Sequence, residues 1–375
     1  MSLREPSGSA GLRCAVRRRD RNGRGSESNV IAAIQQAIRL KTKYNIRVIN
    51  LSLGRPVYES YRLDPLCQAV EQAWQAGIVV VVAAGNEGRD NSRGNSGYAT
   101  IQAPGNDPYV ITVGAMKTVG TPSRGDDLIA SYSSKGPTPI DHIIKPDLVA
   151  PGNRISSLLA STAQLQNQYP NNAVPLTYYQ HTGSGARSNQ YYRMSGTSMA
   201  APIVSGAAAL MLQRFPSLTP DQVKAVLMKT AYKGFPAFSI ATDPTTGVSY
   251  TSQYDIFTVG AGYVDVWAAL NYTALPGGAV GAALSPTAHY NPSNRKVLIS
   301  NTGPSAIWGG NAVWGDNAVW GDNAVWGDNA VWGDNAVWGD ATLQGFHAIW
   351  SSSAPAAMST LTTTERIPLA IAGEN

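Results

Sequence analysis

An uninterrupted apolar run at residues 78–84 constrains the fold of this chain more than any other sequence feature. The run consists only of isoleucine, valine and alanine, and Gly85 and Asn86 follow it directly. A strand with one face in water alternates apolar and polar residues, whereas a run without alternation is typical of a strand buried on both faces of a parallel sheet. The sequence therefore predicts a parallel sheet that is covered by helices on both faces.

Other elements alternate with this strand along the chain. Short apolar segments at 47–54 and 109–115 predict two further strands, and apolar residues at helical spacing between 30 and 38 predict a helix before them. An Asp-Pro pair at 64–65 and a capping-box pattern at 219–222 mark the starts of two more helices. Alternation of strand, helix and strand implies right-handed crossovers, so the expected fold class is α/β, a doubly wound parallel sheet in a layer sandwich.

The segment 195–202 combines a small-residue turn with the start of an apolar helix. Its sequence is Ser-Gly-Thr-Ser-Met-Ala-Ala-Pro, so the hydroxyl of Ser198 lies at the junction of turn and helix. This segment resembles the serine motif of the subtilisin family of serine peptidases, also called subtilases or peptidase S8. The resemblance implies a subtilisin-like fold and a serine endopeptidase that hydrolyses polypeptide substrates, with Ser198 as the nucleophile that forms the acyl-enzyme.

A second chemical group follows the buried apolar run. Functional residues of open parallel sheets gather at the carboxyl ends of the strands, and Asn86 lies at such an end. By the same resemblance, Asn86 matches the asparagine whose side-chain amide joins the backbone N–H of the serine in an oxyanion hole. A Gly-Asn pair at a strand end is also ordinary turn chemistry. The serine motif later in the chain favours the catalytic interpretation.

The resemblance also implies a binding surface for an extended peptide. A strand at 51–54 resembles one wall of the family's specificity pocket, residues 83–85 form the other wall, and a glycine-rich loop resembles the edge to which substrate adds as an extra strand. For that loop, a simple turn between strand and helix remains an equal alternative. The implied substrate-binding residues are Leu51, Ser52, Leu53, Gly54, Ala83, Ala84, Gly85, Gly23 and Gly25. Because these walls offer no buried charge, we expect a broad preference for apolar or large side chains.

The catalytic aspartate and histidine of the family have no counterpart in this sequence. In the family they precede the serine in the order Asp, His, Ser. Here every histidine follows Asn86, namely His142, His181, His289 and His347. We interpret the chain as N-terminally truncated or frame-shifted within residues 1–19, and we expect it to be inactive as written. His142 is interpreted as a surface loop residue and not as a substitute base.

The composition argues against several other classes of protein. The net charge of +5 comes from the first 25 residues, which hold seven arginines without the interleaved aromatic residues of a nucleic-acid-binding face. No apolar run reaches the ~18 residues of a membrane span, and no secretion signal is recognisable. The localisation stays open, because complete family members are usually secreted. Cys14 and Cys67 give no disulfide framework. No cofactor or metal is expected, and calcium, frequent in the family, has no locatable site.

The sequence changes character after Leu270. It becomes rich in small residues, and at 305–340 it repeats a hexapeptide, Asn-Ala-Val-Trp-Gly-Asp, with one degenerate copy. The repeat is either a low-complexity or β-type tail or an element that contacts a cell surface or polysaccharide. The predicted domains are an atypical basic segment at 1–19, a partial subtilisin-like peptidase domain at 20–270, and a C-terminal extension at 271–375.

Three interpretations of function remain open at this point. The first is a subtilisin-type serine endopeptidase that acts through Ser198 and Asn86. The second is a non-catalytic peptide-binding pseudoprotease, and the third is a surface-binding protein that acts through its tryptophan repeat. The presence of both Ser198 and Asn86 favours the first, because a protein that only binds peptides needs no hydroxyl at this position.

Overall fold

A five-stranded, mostly parallel sheet forms the centre of the fold. The computed structural model describes residues 25–160, 165–181, 185–274, 278–291, 296–300, 371 and 373–374. The strands of the central sheet are β1 (Val48–Leu51), β2 (Val79–Ala83), β3 (Ile111–Lys117), β4 (Leu128–Ile129) and β5 (Leu148–Pro151). The pairs β1–β2, β2–β3 and β3–β5 are parallel, whereas the short β4 runs antiparallel to β3. As the apolar run predicts, β2 is buried along its whole length.

Helices alternate with or follow the strands of this sheet along the described part of the chain. They are α1 (Glu27–Tyr44), α2 (Pro65–Gln75), α3 (Leu165–Gln168), α4 (Thr197–Arg214), α5 (Pro220–Thr230) and α6 (Val266–Leu270). The long α4 packs across β1, β2, β3 and β5, while α2 packs against β2 and α1 packs against α2. The predicted α/β layer architecture is therefore confirmed.

Two helices begin at the predicted caps. At the start of α2, the carboxylate of Asp64 accepts hydrogen bonds from the backbone N–H of Leu66 (2.9 Å) and of Cys67 (3.3 Å). At the start of α5, Thr219 and Gln222 form the reciprocal capping box. These side chains satisfy backbone groups that the first turn of a helix leaves without a partner.

Two predicted strands differ in their bounds from the expectation. The strand expected at 47–54 corresponds to the shorter β1, because the hydroxyl of Ser52 donates to the carbonyl of Ser198 (2.7 Å) and the chain leaves the ladder there. The strand expected at 109–115 corresponds to β3, which begins two residues later. The carboxylate of Asp107 accepts a hydrogen bond from the backbone N–H of Tyr109 (2.8 Å). The turn that this bond closes occupies the start of the expected range, before β3 begins.

Three smaller sheets lie outside the central one. An antiparallel sheet has the order β6-β8-β7, and two hairpins pair β9 with β10 and β11 with β12. These strands are β6 (Ile155–Leu158), β7 (Ala173–Pro175), β8 (Arg187–Met194), β9 (Phe238–Thr242), β10 (Ser249–Gln253), β11 (Thr287–Asn291) and β12 (Lys296–Ser300). Strand β8 is important for the site, because it leads directly into the segment 195–202 and then into α4.

A buried carboxylate ties β5 to its neighbours. The oxygens of Asp147 accept from Lys145 Nζ (2.7 Å) and from the backbone N–H of Thr112 (2.7 Å), and one of them lies 3.2 Å from Lys224 Nζ. Burial disfavours the charged carboxylate, but the two ammonium groups hold the pKa of Asp147 below its usual value. Removal of one member of such a cluster leaves an uncompensated buried charge, so these residues are structural.

Residues beyond the predicted boundary at 270 pack into the same core. Ala282 and Ala283 are buried, and the hydroxyl of Ser285 donates to Asp147 Oδ1 (2.5 Å). The division of the chain at residue 270 remains a prediction, and the packing of the core continues past it.

Several predicted features lie outside the described residues. They are the basic segment 1–19, Cys14, Gly23, His347 and the repeat at 305–340. Within the ranges that the structure describes, no helix is long and apolar enough to cross a lipid bilayer.

Candidate active site

A tight turn between β8 and α4 presents Ser198. The turn passes through Gly196, whose φ of 139° is rarely adopted by residues with a side chain. Helix α4 then begins at Thr197, so Ser198 is its second residue. The first amides of a helix have no acceptor within the helix. Among the described residues, the N–H of Thr197 bonds to a side chain and that of Met199 bonds to a turn carbonyl, whereas the N–H of Ser198 has no acceptor.

Asn86 lies next to this turn with a fixed side-chain orientation. Its Oδ1 accepts from the backbone N–H of Thr197 (2.9 Å) and from the hydroxyl of Thr197 (3.1 Å). The same hydroxyl accepts from the N–H of Gly85 (3.1 Å). Because Oδ1 is occupied by donors, the amide Nδ2 is left as the group that can donate to a ligand. A Cβ at Gly196 would lie only 3.3 Å from this Nδ2, so a larger residue there would crowd the amide.

The turn and the strand end bring two hydrogen-bond donors together. The donors are Nδ2 of Asn86 and the backbone N–H of Ser198, and the positive end of the α4 dipole lies at the same place. Such donors, fixed before a ligand arrives, suit a negatively charged oxygen that forms beside the serine.

The predicted pocket walls lie close to the same serine. The hydroxyl of Ser52 is bonded to the carbonyl of Ser198, while Leu51, Ala83 and Ala84 are buried. Leu53 is partly buried against the core, and Gly54 is exposed. The strand-end segments 51–54 and 83–85 are therefore adjacent in space, as parallel pairing of β1 with β2 requires.

One residue that the sequence did not indicate, Gln102, lies against both of the predicted walls. A Cβ at Gly54 would lie 2.5 Å from Gln102 Oε1, and a Cβ at Gly85 would lie 2.9 Å from Gln102 Cγ, so this side chain lies against both walls. Its Nε2 is 3.4 Å from Glu87 Oε1, and Glu87 is buried. Polar groups, among them the buried Glu87, therefore lie beside the predicted walls, for which no buried charge was expected. Gln102 belongs to a loop without periodicity, and no local signal marks it.

A sequence profile of the Subtilase family (Peptidase_S8) matches residues 10–262, more than half of the chain. The chain belongs to the subtilase family. The match includes β1 to β5, the turn before α4 and both chemical segments described above. The predicted resemblance and fold class are therefore confirmed at the level of the family.

Relatives of this subtilase include named bacterial proteases. "Serine protease AprX" of Bacillus subtilis (strain 168) is 40% identical over 217 residues, which are 56% of this chain and 43% of that protein. "Subtilisin DY" of Bacillus licheniformis is 34% identical over 217 residues, which are 58% of this chain and 60% of that protein. This subtilase thus spans about half the length of the relatives that it matches. Fervidolysin from Fervidobacterium pennivorans has a solved structure that is 25% identical, with a TM-score of 0.46 over 67% of this chain and 30% of that chain.

In the part of the chain that the structure describes, the histidines of this subtilase form no hydrogen bond with Ser198. Among the described residues, no histidine or carboxylate is hydrogen-bonded to Ser198 Oγ. His142 lies on a loop whose backbone bonds to Thr138 and Ala288, and burial lowers the pKa of its imidazole. His181 and His289 are exposed. His142 therefore lies on a loop, as expected, but it is half-buried and not at the surface as the sequence predicted.

Other predicted residues are placed apart from the serine. Gly25 is an exposed residue shortly before α1, and no hydrogen bond between described residues joins it to the serine turn. Cys67 is buried on α2 and its thiol donates to Asn106 Oδ1 (3.3 Å). Burial raises the pKa of this thiol, which makes it unreactive. Within the described ranges, no group of three His, Cys, Asp or Glu side chains could hold a metal ion.

Proposed function

We propose that this chain carries the serine half of a subtilisin-type endopeptidase site. In this proposal Ser198 is the nucleophile, Nδ2 of Asn86 and the N–H of Ser198 bind the oxyanion, and polypeptides are the substrates. The hydrogen bond from the N–H of Thr197 to Asn86 Oδ1 carries the proposal. It joins the end of β2 to the start of α4 and leaves both donors available beside one hydroxyl.

The proposed chemistry follows from this arrangement. Ser198 Oγ attacks the carbonyl carbon of the peptide, and its proton passes to a base while negative charge develops on the carbonyl oxygen. The two donors stabilise that charge. Collapse of the tetrahedral intermediate breaks the C–N bond, the amine leaves with the proton, and water then hydrolyses the acyl-enzyme.

The base is the missing part of this scheme. Without a base, the serine hydroxyl stays protonated at neutral pH, and loss of the serine or histidine of a subtilisin triad costs about 2 × 10⁶ in kcat. None of the described histidines contacts Ser198. We therefore propose that residues 1–375 alone turn over peptides at a small fraction of the rate of a subtilase that has the full triad.

The specificity pocket is proposed to lie between segments 51–54 and 83–85. Its apolar walls favour apolar or large substrate side chains. Gln102 limits the depth of the pocket, because its side chain lies against both Gly54 and Gly85. The proposed peptidase domain spans 20–270, with Gly23 and Gly25 as the edge for an extended peptide. The extension at 271–375 is proposed to contact a cell surface or polysaccharide through the repeat at 305–340.

A peptide-binding pseudoprotease is the second candidate function. It is favoured by one observation, which is that no base contacts Ser198 among the described residues while the pocket walls are in place. Such a protein binds peptides in the same pocket without hydrolysis.

An exchange of segments separates the two candidates. The segment of the AprX protease that carries its family aspartate and histidine is joined in frame before residue 20, and turnover of an apolar chromogenic peptide is measured. We expect turnover that is lost in Ser198→Ala and retained in the control Ser217→Ala, since Ser217 is exposed between α4 and α5. A folded hybrid that binds the peptide without any turnover supports the pseudoprotease and contradicts the peptidase.

A further inference from the structure

A second site lies beside the serine turn, and residues Gly373 and Glu374 of the same chain occupy it. We propose that Arg89, Ser131 and Asn153 form a binding pocket for the acidic C-terminal segment that contains Gly373 and Glu374. The pocket anchors this segment against the domain. This site goes beyond the proposed peptidase function and does not depend on catalysis.

The carboxylate of Glu374 is held by three donors. The guanidinium Nη2 of Arg89 donates to Oε1 (2.7 Å), and the backbone N–H of Ser131 lies 3.0 Å and 3.1 Å from the two oxygens. The hydroxyl of Ser131 also donates to Oε1. Glu374 is buried, and a buried carboxylate is stable only when it is paired and hydrogen-bonded in this way.

The backbone of the segment is recognised as well. Asn153 Oδ1 accepts from the N–H of Glu374 (2.8 Å), and Asn153 Nδ2 donates to the carbonyl of Glu374 (2.8 Å). Asn172 Nδ2 donates to the carbonyl of Ile371. One asparagine amide thus satisfies both backbone polar groups of a single residue, as a neighbouring strand would. Contacts to the backbone and to a carboxylate together distinguish this site from a chance surface ion pair.

The side chain of Arg89 is also held by groups other than the carboxylate of Glu374. The side chain of Arg89 is only 7% exposed. Its other groups donate to Asp243 Oδ2 (2.7 Å) and Ser131 Oγ (2.7 Å), and it lies 4.7 Å from the centre of the Tyr250 ring. A guanidinium held on several sides loses little freedom when it binds a carboxylate, which strengthens binding.

Gly373 brings the segment against the serine turn. A Cβ at this position would lie 2.5 Å from Ser195 Oγ and 2.7 Å from Arg154 Cγ, and the φ of Gly373 is 70°. Only glycine fits such a position without strain. Ser195 is three residues before Ser198, and its hydroxyl accepts from the N–H of Arg154 (2.9 Å). A glycine at 373 and a glutamate at 374 therefore both fit this pocket.

A nicked full-length chain tests this proposal. A recognition sequence for a site-specific protease replaces residues 345–350, the purified protein is cleaved, and gel filtration at micromolar concentration shows whether the C-terminal fragment stays with the body. We expect the fragment to co-elute with the body. Glu374→Lys should release it, with affinity weakened at least about tenfold because a charge-assisted contact is replaced by repulsion.

Two further variants make the outcome specific. Gly373→Ala should also release the fragment, because its Cβ collides with the serine turn. Glu365→Lys makes the same change of charge within the same fragment and should leave it bound. Release of the unmodified fragment, retention in Glu374→Lys, or equal release in Glu365→Lys each overturns the pocket. Circular dichroism of the nicked body confirms that the domain is folded in every variant.

Discussion

A single side-chain amide, that of Asn86, connects two segments that are far apart in the chain. Its oxygen is occupied by Thr197, so the orientation of the whole amide follows from one contact. Both residues belong to motifs in which neighbouring positions have small side chains, and those motifs are visible in the sequence. The resemblance of these two segments to motifs of the family predicts that Asn86 and Ser198 act in one site.

Other site residues could not be predicted in this way. Gln102 acquires its place only because β1 and β2 bring Gly54 and Gly85 to either side of it. Arg89 contacts Glu374, which lies 285 residues further along the chain. Neither residue belongs to a periodic or motif-like pattern, and contacts between distant loops leave no local signal.

Lys135 provides a prediction at the scale of one residue. It is buried, its Nζ donates to the carbonyl of Ser96 (3.1 Å), and it lies 5.4 Å from the centre of the Tyr98 ring. Burial lowers the pKa of this ammonium from 10.5 to about 8. The folded state therefore holds the proton more weakly than the unfolded state does.

The pH dependence of stability should show this difference. Between the folded pKa of about 8 and the unfolded value of 10.5, the unfolded chain binds a proton that the folded chain has lost, so stability rises with pH. Lys135→Met removes this contribution. The difference between the unfolding free energies of the two proteins should change by about 1.4 kcal/mol per pH unit in that window. Urea denaturation at several pH values measures this difference. If the unfolding free energies of the two proteins change in parallel with pH, the lowered pKa of Lys135 is contradicted.

At the scale of elements, caps were easier to predict than strand ends. The starts of α2 and α5 are fixed by side chains within three residues, so the sequence alone determines them. The end of β1 depends on the hydrogen bond of Ser52, and the start of β3 depends on the hydrogen bond of Asp107. The antiparallel direction of β4 has no periodic signal either, because this strand is only two residues long.

The cap of α2 gives a second prediction. Asp64 is fully buried, caps the helix, and forms an ion pair with Arg55 (2.8 Å). Asp64→Ala should lower the free energy of unfolding by about 2 kcal/mol, of which the cap contributes about 1. Asp64→Asn keeps a capping oxygen and should lower the free energy of unfolding by less. Urea denaturation of both variants measures the two contributions, and equal losses would show that the cap contributes nothing.

At the scale of the whole molecule, the sequence predicted the layers correctly and placed the end of the peptidase domain at residue 270, where the composition changes. That division remains a prediction. In the structure Ala282 and Ala283 are buried, and the N–H of Ala283 donates to Asp221 Oδ1 (2.8 Å). Contacts of the core therefore continue past the point where the composition changes.

Truncation tests this contribution. A chain that ends at residue 270 loses Ser285 and its hydrogen bond to Asp147, so the buried ion cluster is left open. We expect this chain to aggregate or to unfold without cooperativity, whereas a chain that ends at residue 300 should unfold in one cooperative transition. Thermal unfolding followed by circular dichroism makes the comparison. Equal midpoints would show that residues 271–300 add nothing to the core.

The most direct test of the proposed site is the effect of Asn86→Leu on kcat in the hybrid that carries the AprX segment. If Nδ2 of Asn86 and the N–H of Ser198 bind the same oxyanion, kcat should fall by about 10²–10³, the figure found for the corresponding asparagine of a subtilisin, while KM changes little. An unchanged kcat, or a loss confined to KM, would contradict the account of Asn86 and Ser198 as one oxyanion site.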